Sequence, residues 1–198
     1  DILSIKESVS SNEIQVSNLN AFTLYAITDV YHPSWIERDA RLRELRIEHT
    51  NNCLNLAKSI GARNISTEPG GPVKTDHNKD NATNRYDLNR MEYLFIEGIN
   101  RSAEIAKSCG VKVLVEPEPG LLIENSEQFL TFVNKIHSDW VGLNFDIAHF
   151  FCVREDPAAL IYRLADYIGH FHLADIAQTR VHNHLIPGQG AIDFSSVF

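Results

Sequence analysis

Two kinds of hydrophobic pattern alternate along the chain. In the longer segments apolar residues recur every three or four positions, which is the spacing of an amphipathic helix. These segments predict helices at 40–62, 85–110, 124–139 and 156–168. Asn125 or Ser126 suits the start of the third helix and Asp156 the start of the fourth, because such side chains cap helix N-termini.

The shorter runs are nearly continuous in apolar residues and predict strands. They lie within ARNISTEPGG (62–71), VKVLVEPEPG (111–120), VGLNFDIAHF (141–150) and HFHLADI (170–176). Strands of this kind that alternate with helices form a parallel sheet covered on both faces. Such a sheet is either open and doubly wound or closed into a barrel. The sequence lacks the GxGxxG fingerprint of an open dinucleotide-binding sheet.

Polar side chains gather on one face of each predicted strand, close to its C-terminal end. Residues two apart share a face, which groups Glu116 with Glu118, Asn144 with Asp146, His170 with His172, and Ser66 with Glu68. A parallel barrel explains this arrangement, because its active site lies at the C-terminal ends of the strands. We therefore predict an α/β fold of the TIM (β/α)8 barrel type, with residues 1–198 in a single domain.

Glu116, Asp146 and His172 are then expected to converge from three different strands. Two carboxylates and one imidazole suit a divalent cation, either Mn²⁺, Mg²⁺ or Co²⁺, with Zn²⁺ as a further option. The alternative is a hydrogen-bonded polar cluster that closes the top of the barrel without a metal. Three such groups that converged without a metal would have strongly shifted pKa values.

Composition and charge narrow the class of partner. The net charge of −8 and the scattered Lys and Arg residues argue against a nucleic-acid surface. No apolar run is long enough to span a bilayer, and the first residues lack the features of a secretory signal. The three cysteines have no CxxC spacing, which is typical of reduced thiols in a cytosolic protein. We expect a cytoplasmic protein that binds a small molecule and neither nucleic acid nor membrane.

Four motifs in order give the chain a family resemblance. VEPEPG, NFDIAH, HFHLAD and HLIPGQGAIDF resemble the signatures of the sugar phosphate isomerase/epimerase family, which has a xylose-isomerase-like TIM barrel and acts in carbohydrate metabolism. By this resemblance Glu116, Asp146 and His172 match metal ligands, and His149 matches a histidine that touches substrate. Arg180 lies in a loop where the family often has a substrate-binding arginine.

The resemblance also predicts that the barrel is incomplete within this sequence. Residues 1–22 correspond to the second helix and third strand of the family, so the first two strands are missing. The last strand, whose end carries a metal-binding glutamate in the family, is missing as well. We therefore expect the fourth metal ligand to lie beyond Phe198.

The implied function is a metal-dependent isomerisation or epimerisation of a sugar or sugar phosphate through an enediolate. Glu116 and His149 are the candidate catalytic residues, and His149, Arg180, Glu68 and His184 are the candidates for substrate contact. By analogy with the family, the protein could form a homo-oligomer.

Three alternatives remain open. The first is a non-catalytic barrel that binds sugar, and the second is a dehydratase of cyclic polyols. The third is an endonuclease IV-like zinc phosphodiesterase, which the His-x-His pair at His182 and His184 raises and the acidic charge opposes.

Overall fold

Five parallel strands form one sheet in the order in which they occur along the chain. The computed structural model describes residues 2–24, 30–73 and 81–197, with the backbone alone for residues 81–86. The strands are β1 (Leu19–Asn20), β2 (Asn64–Thr67), β3 (Lys112–Val115), β4 (Val141–Asp146) and β5 (Ile168–His172). Sequential parallel order with helices between the strands is the arrangement of a barrel wall. The predicted α/β fold is confirmed as five parallel strands of a TIM barrel.

Helices cover the outer face of this sheet. They are α1 (Ile2–Ser11), α2 (Ala40–Ile60), α3 (Asn81–Cys109), α4 (Ser126–Val133), α5 (Ile147–Cys152), α6 (Pro157–Leu164) and α7 (Phe194–Val197), with a 3-10 turn at Ala165–Tyr167. Within the described ranges, no helix is both long enough and apolar enough to cross a membrane.

The hydrophobic core lies between the helices and the sheet. Leu54 of α2 and Phe95 and Ile99 of α3 are fully buried in one cluster with strand residues such as Val113 and Phe145. Their spacing along each helix is the three-to-four-residue period of the sequence pattern. The period therefore predicts which side of each helix packs against the sheet.

Local signals predict the ends of the helices with mixed success. The N-cap of α6 is Asp156 with Pro157 at its first turn, as expected, and α2 ends at Gly61 in the left-handed region. Helix α3 begins at Asn81, before the predicted residue 85.

The predicted helix 124–139 is wrong in its second half. Helix α4 starts at Ser126, and Asn125 caps it in a box with Gln128. The helix stops at Val133, because the amides of Lys135 and Ile136 bond three residues back, to Phe132 and Val133, in tighter turns. Ile136, which belongs to the second half of the predicted helix, is buried in the core but lies in a turn.

Candidate metal centre

Asp146 uses its two carboxylate oxygens for different purposes. It is the last residue of β4 and the N-cap of α5, where Oδ1 accepts the amides of Ala148 at 2.7 Å and His149 at 3.2 Å. Oδ2 is buried and has no hydrogen-bond partner among the described residues, although Nδ1 of His172 lies 2.7 Å away. Helix capping therefore leaves one oxygen of Asp146 available at the mouth of the barrel.

Glu116 lies one residue past β3 and is almost completely buried. Its Oε2 accepts a hydrogen bond from the side-chain amide of Asn144, and its Oε1 is 3.2 Å from Nδ1 of His172. Burial raises the pKa of Glu116, and the charge of Asp146 raises it further against the opposing effect of His172. A carboxyl group with a raised pKa is suited to proton transfer.

His149 projects from the first turn of α5 toward Asp146. Its Nδ1 is 2.9 Å from the backbone oxygen of Pro117, and a carbonyl oxygen only accepts, so Nδ1 carries the hydrogen. The Nε2 lone pair then faces Oδ2 of Asp146 at 3.5 Å. Burial lowers the pKa of His149 to about 4. The ring is therefore neutral at physiological pH, the form that binds metal or accepts a proton.

His172 is paired with Asp146 across the β4–β5 ladder and is about half exposed. The closeness of the carboxylates of Asp146 and Glu116 raises the pKa of His172 to about 10. The imidazolium and the two carboxylates largely neutralise one another.

Two further histidines reach the same place from the loop that follows β5. Nε2 of His184 is 3.9 Å from Oδ2 of Asp146, and Nδ1 of His182 is 3.9 Å from Oε1 of Glu118. The ring of His149 lies 4.6 Å from that of His182 and 5.3 Å from that of His184, measured between centroids. His184, a predicted substrate contact, thus lies at the site, and His182 lies beside it.

These side chains fit a divalent cation. In the described part of the chain, three sets each bring their ligand atoms within 4.8 Å of one another. They are Glu116, Asp146 and His149; Asp146, His172 and His184; and His149, His182 and His184. The predicted ligands Glu116, Asp146 and His172 are brought together, but they divide between the first two sets. The buried free oxygen of Asp146 and the mixed carboxylate and imidazole donors suit a hard or borderline cation.

Glu68 belongs to none of these three sets. It is fully buried and its Oε1 is 3.9 Å from Nε of Arg46, a buried cation on α2. Burial raises the pKa of Glu68 to about 7, although the charge of Arg46 lowers it. Strand alternation predicts that Glu68 points inward, and in the structure its carboxylate lies beside Arg46 and accepts the amide of Gly70.

Arg180 also lies away from the cluster. Its guanidinium donates a hydrogen bond to the backbone oxygen of Phe151 and stacks 3.8 Å above the ring of the same residue. The side chain therefore holds its loop against α5. In this structure the expected contact of Arg180 with substrate has no geometric support.

Two residues that the sequence analysis gave no role complete the site. Asn144, which the strand pattern places on the same face as Asp146, donates to Glu116 and orients it. Tyr31 donates a hydrogen bond to Glu118 from a distant segment of the chain. No local pattern marks Tyr31, because only the fold brings the two residues together.

Known proteins share this architecture. The inosose dehydratase of Clostridium beijerinckii is 23% identical over 151 residues, which are 68% of this chain and 51% of that protein. The inosose dehydratase of Geobacillus kaustophilus is 27% identical over 119 residues, which are 52% of this chain and 39% of that protein. The chain thus spans about half the length of the first of these curated relatives.

Solved structures agree on the fold. The IOLI protein with a bound zinc atom superposes with a TM-score of 0.77 at 20% identity, over 99% of this chain and 66% of that chain. A D-tagatose 3-epimerase-like protein superposes with a TM-score of 0.80 at 21% identity, over 99% of this chain and 69% of that chain. The family model described as xylose isomerase-like TIM barrel matches residues 1–198. The chain belongs to the xylose isomerase-like TIM barrel family.

Proposed function

We propose that this chain belongs to a divalent-metal-dependent enzyme that isomerises or epimerises a small sugar or sugar phosphate. The observation that carries the proposal is the meeting of Glu116, Asp146 and His172, with 2.7 Å and 3.2 Å between Nδ1 of the histidine and the two carboxylates. The solved D-tagatose 3-epimerase-like protein and the zinc-bound IOLI protein have the same fold and support this choice.

Glu116, Asp146 and His172 would hold the metal, and His184 lies close enough to Asp146 to assist. A bound divalent ion would act as a Lewis acid on the carbonyl group of the substrate. A cation beside Oδ2 of Asp146 would replace the proton that His172 holds 2.7 Å from this oxygen, since an imidazole binds metal only in its neutral form. The low pKa of His149 keeps its Nε2 free to orient a substrate hydroxyl.

Glu116 is the proposed proton acceptor. It removes a carbon-bound proton next to the carbonyl group and leaves an enediolate. Delivery of a proton to the opposite face by a second acid–base group on that side would give an epimer, whereas return of the proton by Glu116 to the neighbouring carbon would give an isomer. A well-placed group of this kind contributes about two to four orders of magnitude in rate.

A polyol dehydratase is the second candidate, and the curated relatives named inosose dehydratase favour it. The first step would be the same proton removal by Glu116, followed by loss of a hydroxyl group as water. The set His149, His182 and His184 is the observation that raises an endonuclease IV-like function. The net charge of −8 opposes it, because DNA affinity depends on basic side chains.

The test is solvent exchange. The intact protein with Mn²⁺ or Co²⁺ is incubated in D₂O with a panel of ketoses, their phosphates and inososes. The proposal predicts metal-dependent deuterium at the carbon next to the carbonyl group, with an epimer or isomer as product. A product that has lost water identifies the dehydratase instead. Metal binding with no exchange on any substrate would overturn both and leave the non-catalytic sugar-binding barrel.

Glu116→Gln and Asp156→Asn provide the matched pair of variants for this test. Glu116→Gln keeps the shape of the proposed base but cannot accept the proton, so exchange should be lost. Asp156 caps α6 through the amide of Ala158, outside the three metal-binding sets, so Asp156→Asn should exchange like the wild type.

A further inference from the structure

Asp175 joins distant parts of one loop through its carboxylate. It lies three residues past His172, is fully buried, and accepts four backbone hydrogen bonds. Oδ1 accepts the amides of Ile176 at 2.8 Å and Ile192 at 3.1 Å, and Oδ2 those of Gly188 at 2.9 Å and Gly190 at 2.7 Å. Four amides around one carboxylate keep it ionised, and the pKa of Asp175 is lowered although burial opposes this.

The backbone of Asp175 adds two further hydrogen bonds. Its N–H donates to the oxygen of Leu185 at 2.9 Å, and its oxygen accepts the amide of Leu185 at 2.8 Å. One residue thus fixes the start, the middle and the end of loop 176–192. This loop is described throughout and contains no helix or strand, so these contacts replace regular secondary structure.

Loop 176–192 carries His182 and His184 to the metal centre. His184 directly precedes Leu185, whose backbone is bonded to Asp175. Little apolar packing holds this part of the loop, because the side chains of Val181 and Ile186 are 65% and 67% exposed. Polar contacts must therefore determine where the two imidazoles lie.

We propose that Asp175 is a positioning residue whose carboxylate, through the loop amides, holds His184 beside Asp146 and His182 beside Glu118. The importance of those histidines rests on the proposed metal-dependent function. Gly190 is part of the same arrangement, because its amide bonds to the carboxylate of Asp175. A Cβ at this position would lie 2.3 Å from Oδ1 of Asp175 and 2.4 Å from the backbone oxygen of Ile176. Only glycine permits this close approach.

The first test measures backbone protection without metal. Asp175→Asn replaces one acceptor oxygen with an NH₂ group that faces amide donors. Hydrogen exchange at Leu185, Gly188 and Gly190 should accelerate at least about tenfold, as expected when charge-assisted hydrogen bonds are lost. The amides of β3 and β4 should keep their protection. Asp193→Asn is the control, because Asp193 is an exposed aspartate just past this loop whose carboxylate bonds to Ser195 and Ser196, outside the loop.

The second test is a double-mutant cycle on Zn²⁺ affinity. Asp175→Asn should weaken binding about ten- to hundredfold, the usual effect of losing a group that orients a ligand. His184→Ala should weaken binding in the wild type and add little in the Asp175→Asn background. A purely structural role would instead give independent, additive losses. Gly190→Ala provides a second route to the same displacement if Asp175→Asn does not fold.

Two outcomes would overturn the inference. One is additive losses in the cycle, and the other is equal exchange rates in Asp175→Asn and Asp193→Asn. Failure of the wild type to bind Zn²⁺, Mn²⁺ or Co²⁺ would instead overturn the proposed function, and the exchange experiment would still decide whether Asp175 holds the loop.

Discussion

His172 lies directly opposite Asp146 across the β4–β5 ladder, with Nδ1 of the histidine 2.7 Å from Oδ2 of the aspartate. Both side chains come from the last residues of their strands. Parallel register alone therefore brings an imidazole and a carboxylate together, and Glu116 joins them from just past the next strand. A site built on strand ends is held more rigidly than one built on loops.

Asp146→Asn should abolish tight metal binding and leave the fold intact. Asn retains an oxygen for the cap of α5 but removes the charge that faces His172. We expect the affinity for Mn²⁺ or Co²⁺ to fall about a hundredfold or more by calorimetry, which is ~2.7 kcal/mol. Asp156→Asn makes the same change at another helix cap and should bind metal normally. Undiminished binding by Asp146→Asn would contradict the assignment.

Asn144→Ala should weaken metal binding through Glu116. The side-chain amide of Asn144 donates to Oε2 of Glu116, and both residues are buried. Loss of this contact frees the carboxylate to rotate, and affinity should drop about ten- to hundredfold. Asn64→Ala serves as the control, because Asn64 bonds to the backbone oxygens of Ser17 and Gly169 away from the metal. Equal affinities in the two variants would count against the role of Asn144.

Glu68 should make stability depend on pH in an unusual direction. Its pKa is raised from 4.5 to about 7 in the folded protein, so the folded state binds the proton more tightly than the unfolded state. The free energy of unfolding should therefore fall as pH rises from 4.5 to 7, by up to about 3 kcal/mol. Glu68→Gln cannot ionise and should lack this fall in urea titrations across that range.

Glu44→Gln is a comparison variant, because the contribution of Glu44 to the free energy of unfolding should change with pH in the direction opposite to that of Glu68. Arg101 lowers the pKa of Glu44, so the contribution of this exposed pair is present above the usual carboxyl range and is lost as pH falls. If the pH profiles of Glu68→Gln and wild type ran parallel between pH 4.5 and 7, the raised pKa of Glu68 would be wrong.

Two glycines inside the barrel should respond differently to alanine. A Cβ at Gly142 would lie 2.7 Å from the backbone oxygen of Tyr167, whereas a Cβ at Gly169 would meet only side-chain atoms, with Leu114 nearest at 2.7 Å. The backbone at Tyr167 cannot move aside, whereas the end of the Leu114 side chain can. Gly142→Ala should therefore cost about 1–3 kcal/mol of unfolding free energy, and Gly169→Ala less. The reverse order in urea titrations would refute this packing argument.

Strand alternation predicted the core of the site but not every member. Glu116 and Glu68 each lie one residue past a strand, so their local patterns are alike. Glu116 turns to the barrel mouth, while Glu68 turns to Arg46, a buried cation from α2. A tertiary contact of this kind leaves no mark in the sequence of the strand itself.

Helix α5 was missed for a different reason. Residues 147–151 are all buried, so the segment has no polar side to produce a helical period. Asp146, the residue before it, caps α5 through Oδ1 and leaves Oδ2 at the predicted metal site, so helix capping and the predicted role as a metal ligand are compatible. The sequence named His184 as a candidate substrate contact, but its place in the metal-binding sets could not be predicted, since loop 176–192 has no periodicity and its course depends on Asp175.

The most direct measurement is anomalous diffraction from crystals grown with Mn²⁺ or Zn²⁺. The account predicts an anomalous peak at the barrel mouth, within coordination distance of Oδ2 of Asp146, a carboxylate oxygen of Glu116 and a ring nitrogen of His172. A protein that crystallises with these ions and shows no peak between the three side chains would contradict it.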